Sequence, residues 1–162
     1  MMLMLAPMAA FAQKFGHVNS QEVIQAMPEF TKARADIEAL TKQYEADLKS
    51  MQDELQKRSE AYDKLIKEEP NTPAPIRQRK ETELQEMYQK IQQSYQDNQQ
   101  ALAKEQQEKM SAITTKVVDA IKAVGQAGGY VYIMDLAGGI PYISTTLSTD
   151  VTAQVKAKLG LK

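Results

Sequence analysis

Residues 44–76 read YEADLKSMQDELQKRSEAYDKLIKEEPNTPAPI, an apolar stripe running into a proline-rich break. The stripe is Tyr44, Leu48, Met51, Leu55, Ser59, Tyr62 and Ile66. A second stripe follows the break: Leu84, Tyr88, Ile91, Tyr95, Gln99, Leu102, Gln106, Met110, Ile113, Val117, Ile121 and Val124. Both step in a repeating eleven-residue pattern, about 3.67 residues per turn, so each arm can run far with little supercoil. Pro70, Pro73 and Pro75 cannot continue a helix. A stripe this narrow is the seam of a long antiparallel two-helix coiled-coil hairpin, not the surface of a globule. The hairpin is expected over 29–124, with its tip at 68–76 and Gly125 as the C-terminal stop.

The flanking segments have another character. Lys14–Val18 reads as a short strand. Asn19, with Glu22 three residues on, has the spacing of a capping box that opens a short helix through Met27. Pro28 sits where a long helix can start, because the first turn does not use its missing N–H. Past Gly125, Tyr130–Leu136 is β-branched and aromatic, apolar on both faces for most of its length. Ala137-Gly138-Gly139 reads as a turn and Ile140–Ser144 as a second strand, placed at an edge by Pro141. Ser148-Thr149-Asp150 offers capping oxygens to a last helix, Val151–Leu159.

The fold class is therefore α+β and mainly α, a tentacle-like hairpin on a small β-rich head made of 13–28 and 125–162. A head of this size buries only about 60% of the surface its unfolded chain exposes. Pairing heads between subunits would cover strand edges and the second apolar face. Val18, Tyr130, Val131, Tyr132, Ile133, Ile140, Tyr142 and Ile143 are the residues expected to make that oligomer contact.

Composition narrows the function. Lys and Arg number 20 against 21 Asp and Glu, net −1, so the basic excess of a nucleic-acid binder is missing. Without Cys, disulfides, thiol catalysis and Cys-ligated zinc are out. His17 is the only histidine and has no ligand-like partners in sequence. The glycines match no phosphate loop. No nucleophile-plus-base constellation emerges, so the chain is not read as an enzyme, and no cofactor or metal is expected. Residues 1–12, MMLMLAPMAAFA, form an apolar run too short to span a bilayer. Ala10-Phe11-Ala12 has the small-x-small form of a signal-peptidase site, so 1–12 is expected to be a removed signal peptide, although no basic n-region precedes it.

This layout resembles the Skp/OmpH family of periplasmic chaperones. The most specific residues are Lys14-Phe-Gly-His-Val-Asn19, the run Ala120–Val124, Gly129–Asp135, and Asp150-Val-Thr152 with Val155 and Leu159. The resemblance implies a homotrimer in which three hairpins enclose a cavity. It also implies an ATP-independent holdase that keeps unfolded outer-membrane β-barrel proteins from aggregating in the periplasm. Tyr62, Leu65, Met87, Tyr88 and Tyr95 are the expected client contacts, since Tyr and Met suit adaptable apolar contact. Residues 29–70 carry 8 basic and 11 acidic groups and residues 71–124 carry 8 and 7, so the hairpin is mixed in sign. The membrane and lipopolysaccharide contact of the family's basic member therefore does not carry over. The reading from a different class is a structural or adaptor coiled-coil protein of the cell envelope.

Overall fold

The computed structural model describes residues 13–161, and the expected signal segment 1–12 lies outside them. The elements are β1 (Lys14–Val18), α1 (Ser20–Ala26), α2 (Pro28–Glu68), α3 (Ala74–Gly128), β2 (Tyr130–Asp135), β3 (Ser148–Asp150) and α4 (Thr152–Lys158), with one 3-10 turn at Leu136–Gly138. Two compact units result, and each long helix contributes to both. The sheet unit holds residues up to Thr31 and from Met110 onward; the hairpin unit holds Lys32–Lys109.

In the sheet unit, β1 is the central strand, with β2 on one side and β3 on the other, both parallel to it. Asn19 caps α1 by accepting from the Glu22 N–H at 3.1 Å. The capping box is only half made. The Asn19 N–H donates to the Thr152 hydroxyl at 3.0 Å, and the Glu22 carboxylate pairs with Lys156 on α4 at 2.6 Å. Both groups thus tie α1 to α4. Val18, Val23, Met27, Ile113, Val117, Ala120, Val124, Val151 and Val155 are the buried apolar residues of this unit.

Two expectations are corrected here. Helix α3 does not stop at Gly125. It continues to Gly128, and the left-handed φ of +63° falls on Gly129. Gly125 stays helical, packed beside Ile133, whose Cδ1 a Cβ there would meet at an ordinary contact distance of 3.4 Å. The second change is that Ile140–Ser144 is not a strand, so there is no hairpin after β2. The Asp135 carboxylate accepts from the Ala137 N–H and from Ser20, turning the chain out of the sheet. The partner strand is instead Ser148–Asp150, read from sequence only as a cap. It lies on the far side of β1 and is parallel to it.

In the hairpin unit the arms run antiparallel. Lys109 pairs with Asp36 at 3.1 Å, and the Tyr62 hydroxyl donates to Glu81 across the arms. Those two contacts supply the facing register that the sequence leaves open. The tip is closed by Thr72, buried, whose N–H and hydroxyl both donate to the Glu69 carbonyl. The α2 stripe is as read: Tyr44, Leu48, Met51, Leu55, Ser59, Tyr62 and Ile66 are all partly buried.

The α3 stripe is as read at Leu84, Ile91, Leu102, Met110, Ile113, Val117, Ile121 and Val124, but not at Tyr88, Tyr95, Gln99 and Gln106, which the eleven-residue step adds. Its less exposed residues run Leu84, Met87, Ile91, Ser94, Asn98, Ala101, Leu102 and Glu105, a three-and-four spacing of heptad type. Tyr88 and Tyr95 are 55% and 56% exposed and lie off the seam, as do Gln99 and Gln106. The physical reason is the tyrosine hydroxyl, which needs a partner when buried. On the open flank the Tyr88 hydroxyl accepts from Gln92 at 2.8 Å. Small Ser94, Asn98 and Ala101 take the narrow seam instead.

The two seams make opposite forecasts. Asn98→Leu should stabilise the protein by about 1 kcal/mol, since a polar residue in a coiled seam costs stability. Tyr95→Ser should change stability by less than about 0.5 kcal/mol, as expected for an exposed site. Urea denaturation of both variants checks this. Destabilisation by Tyr95→Ser with no gain from Asn98→Leu would restore the eleven-residue seam.

Candidate functional site

The sheet has one packed face and one bare face. Toward the core, Gly16 and Val18 are buried, and Ile133 and Tyr130 crowd Gly16 so closely that a Cβ there would lie 3.1–3.2 Å from them. The other face carries Phe15, His17, Tyr132 and Met134, with the Phe15 and Tyr132 rings stacked at 4.9 Å. Tyr132 is half exposed and Met134 nearly so. Where β2 runs past the end of α3, an open groove of about 310 Å³ is lined by Ile121, Gly125, Tyr130, Val131 and Ile133 among others. Val131, 58% exposed, stands in it.

The residues expected to make the oligomer contact are therefore sorted by the structure. Tyr130, Val131, Tyr132 and Ile133 come together on β2. Ile140, Tyr142 and Ile143 lie in the loop before β3, with Tyr142 at 79% exposure. Val18 does not belong with them. It is fully buried inside its own protomer, because alternation along β1 turns Gly16 and Val18 inward. The same alternation places Phe15 and His17 outward, a signal already present in KFGHV. Met134 and Leu147 are exposed apolar groups, and Phe15 a partly buried one, that the expected contact set left out.

Of the expected client contacts, Tyr62 and Leu65 on α2 and Met87 on α3 are partly buried in the hairpin, and only Tyr88 and Tyr95 are well exposed. Hydrogen bonding to Glu81 raises the Tyr62 phenol above its ordinary pKa, with desolvation acting the same way. Near this pair, Arg58, Ala61, Tyr62, Lys80, Glu83 and Leu84 line a cavity of about 180 Å³ whose charges are of both signs. Among the described residues no cluster of three or more His, Asp or Glu is placed to hold a metal, and no helix is long and apolar enough to cross a membrane.

The family model of outer membrane proteins (OmpH-like) matches residues 14–159. The chain belongs to the OmpH-like family. The crystal structure of an OmpH-like protein of Caulobacter crescentus CB15, described there as a candidate outer membrane chaperone, superposes with a TM-score of 0.76 at 17% identity. The match covers 91% of this chain and 83% of that one, and shows a common fold. No curated protein matches the sequence.

A part-buried polar link ties β3 of this OmpH-like sheet to the start of α1 through Thr152. Asp150 Oδ1 accepts from the Thr152 N–H at 2.8 Å, while Thr152 takes the Asn19 N–H. Burial works to raise the Asp150 carboxyl, but hydrogen bonds from the Thr152 hydroxyl and N–H, with His17 nearby, hold it below the usual carboxylate range. A depressed folded-state pKa gives stability that is present above the unfolded value of about 3.9 and is lost as pH falls through the folded one. Asp150→Asn should thus lower stability at pH 7 only modestly, by less than about 1 kcal/mol because solvent screens this exposed carboxylate, with the difference from the parent narrowing below pH 4. Urea midpoints across pH 3–7 measure it; a difference that stays constant with pH would show that the carboxylate charge is not used.

Proposed function

We propose that this OmpH-like chain is an ATP-independent holdase chaperone that binds unfolded outer-membrane β-barrel proteins and prevents their aggregation. It works in the periplasm as a homotrimer, after removal of an N-terminal signal peptide. Family membership supports a chaperone role. The observation that carries the reading is the hairpin unit: Ala33 and Ile91 are its only hydrophobic residues counted as buried among the described residues. Two long helices that bury so little leave most of their surface for a partner. The bare sheet face, the groove at β2 and the apolar loop 140–147 supply the surface for self-association. The near-balanced charge gives no reason to add anionic lipid or lipopolysaccharide to the partners.

A urea-unfolded outer-membrane barrel diluted into buffer should scatter light alone, and stay clear with the chain present and no ATP. Binding to a single folded envelope protein, without suppression of aggregation, would instead favour the adaptor reading. The facing register makes the enclosure model testable. Removing Leu55–Leu65 with its facing block Gln78–Tyr88 should leave oligomer size unchanged and reduce the largest barrel retained; equal retention of large barrels would sink enclosure.

Assembly has its own test. An aspartate at Val131 sits in water in the protomer but in apolar surroundings once β2 is covered, where an unpaired charge costs several kcal/mol. Val131→Asp should keep the circular dichroism of the parent and weaken association by more than about tenfold, or about 1.4 kcal/mol. Sedimentation equilibrium showing a monomeric parent at micromolar concentration would overturn the oligomer.

A further inference from the structure

Between Gln85 and Gln106 helix α3 is divided lengthwise. A helix turns about 100° per residue, so residues three, four and seven apart share a face. Tyr88, Gln92, Tyr95, Gln99 and Gln106 fall on one flank, and all are exposed. The flank carries no charge. The ionic groups of the stretch lie elsewhere: Glu86, Lys90, Asp97 and Lys104 on the opposite flank, and Glu105 in the seam.

We infer that this tyrosine–glutamine flank is the surface that holds the client, and that its occupant is one extended segment of an unfolded outer-membrane β-barrel. The inference rests on the holdase reading above. Three features select that occupant. Gln side chains each present two donors and an acceptor, matching the N–H and C=O that every residue of an extended chain exposes. The tyrosines offer rings to apolar side chains, and barrel strands alternate apolar with polar residues. Length is also comparable: from Tyr88 to Gln106 the stripe spans about 27 Å at 1.5 Å per residue, room for about eight extended residues at 3.3 Å each, most of one membrane-spanning β-strand, which takes about 9–11. An uncharged flank desolvates at low cost and does not select a client by the sign of its charge.

The test compares the two flanks in the full chain. Tyr88→Ser with Tyr95→Ser strips the uncharged flank; Lys90→Ser with Asp97→Ser alters the charged one. All four side chains are exposed, and circular dichroism confirms folding. The probe is a fluorescently labelled, urea-unfolded eight-stranded outer-membrane barrel. The tyrosine pair should weaken its binding by about tenfold, or about 1.4 kcal/mol, while the charged pair changes it less than about twofold. A photo-crosslinking residue at position 95 should capture the barrel more strongly than one at 97. Binding by the parent with equal losses in both variants, or crosslinks from both positions alike, overturns the flank assignment while leaving the holdase reading standing. Capture of a second copy of this chain at position 95 makes the flank an interface between copies and also overturns it. Failure of the parent itself to hold the barrel removes the holdase reading and this inference together.

Discussion

The sheet unit hangs from β1, five residues that bind two other parts of the chain more than a hundred positions away. Its carbonyls and amides pair with β2 and β3, and the His17 carbonyl also accepts from the Val151 N–H at 2.9 Å. Parallel strands cannot be joined by a tight turn; they need a crossover. Here the crossover between β1 and β2 is the entire helical hairpin. The entropic cost of so long a closure is modest, because each doubling of a loop adds only about 0.6 kcal/mol. The Lys14 ammonium secures the return point by donating to the Gly128 carbonyl at 3.2 Å, at the negative end of α3.

This dependence explains why the sheet is short of cover. With β1 in the middle, β2 and β3 are both edges, and only one face has α1, α4 and the end of α3 to pack on. β3 is three residues long, which is a protected edge; β2 is six residues, apolar and open, which is not. The exposed ring of Tyr132 and side chain of Val131 are what such an edge presents to solvent. The buried core lies on the other face, so a partner can cover β2 without repacking Val18, Val23 or Val151.

Much of the fold was legible because its signals are local. Pro28, the three tip prolines, the Asn19 cap and the β-branched run at Tyr130 each set the chain by their own chemistry. What was misread depends on choices between distant groups. The eleven-residue reading of α3 counted Tyr88 and Tyr95 as apolar, and apolar periodicity cannot tell a ring that packs from a ring that keeps its hydroxyl wet. The half-buried Ser94 and Asn98 carry no hydropathy signal at all. The second strand was placed at Ile140–Ser144 because those residues have strand composition. The sheet took Ser148-Thr149-Asp150 instead, three polar residues whose pairing is fixed by β1 and by the Asp150–Thr152–Asn19 link. Of the candidate site, β2 was legible from its two-sided apolarity. The inward turn of Val18 was legible in principle, since alternation from Phe15 already separates the two faces.

On the holdase reading proposed above, a chain that uses no nucleotide would release its client by affinity alone, and the contrast between the seam and the α3 flank bears on that. A deep apolar groove would gain about 25 cal/mol for each Å² buried and would hold a hydrophobic client too firmly to surrender it. Half-exposed tyrosines and glutamine amides gain little each, because every hydrogen bond to the client replaces one to water and nets only about 1 kcal/mol. Many such contacts along one extended segment can still add up, since each engaged group raises the effective concentration of the next. They can also be lost one at a time when the client begins to pair its strands. On this view the polar Ser94 and Asn98 in the seam and the uncharged flank have one origin. The chain spends few apolar side chains on its own hairpin, and those it places outside are of kinds that bind reversibly.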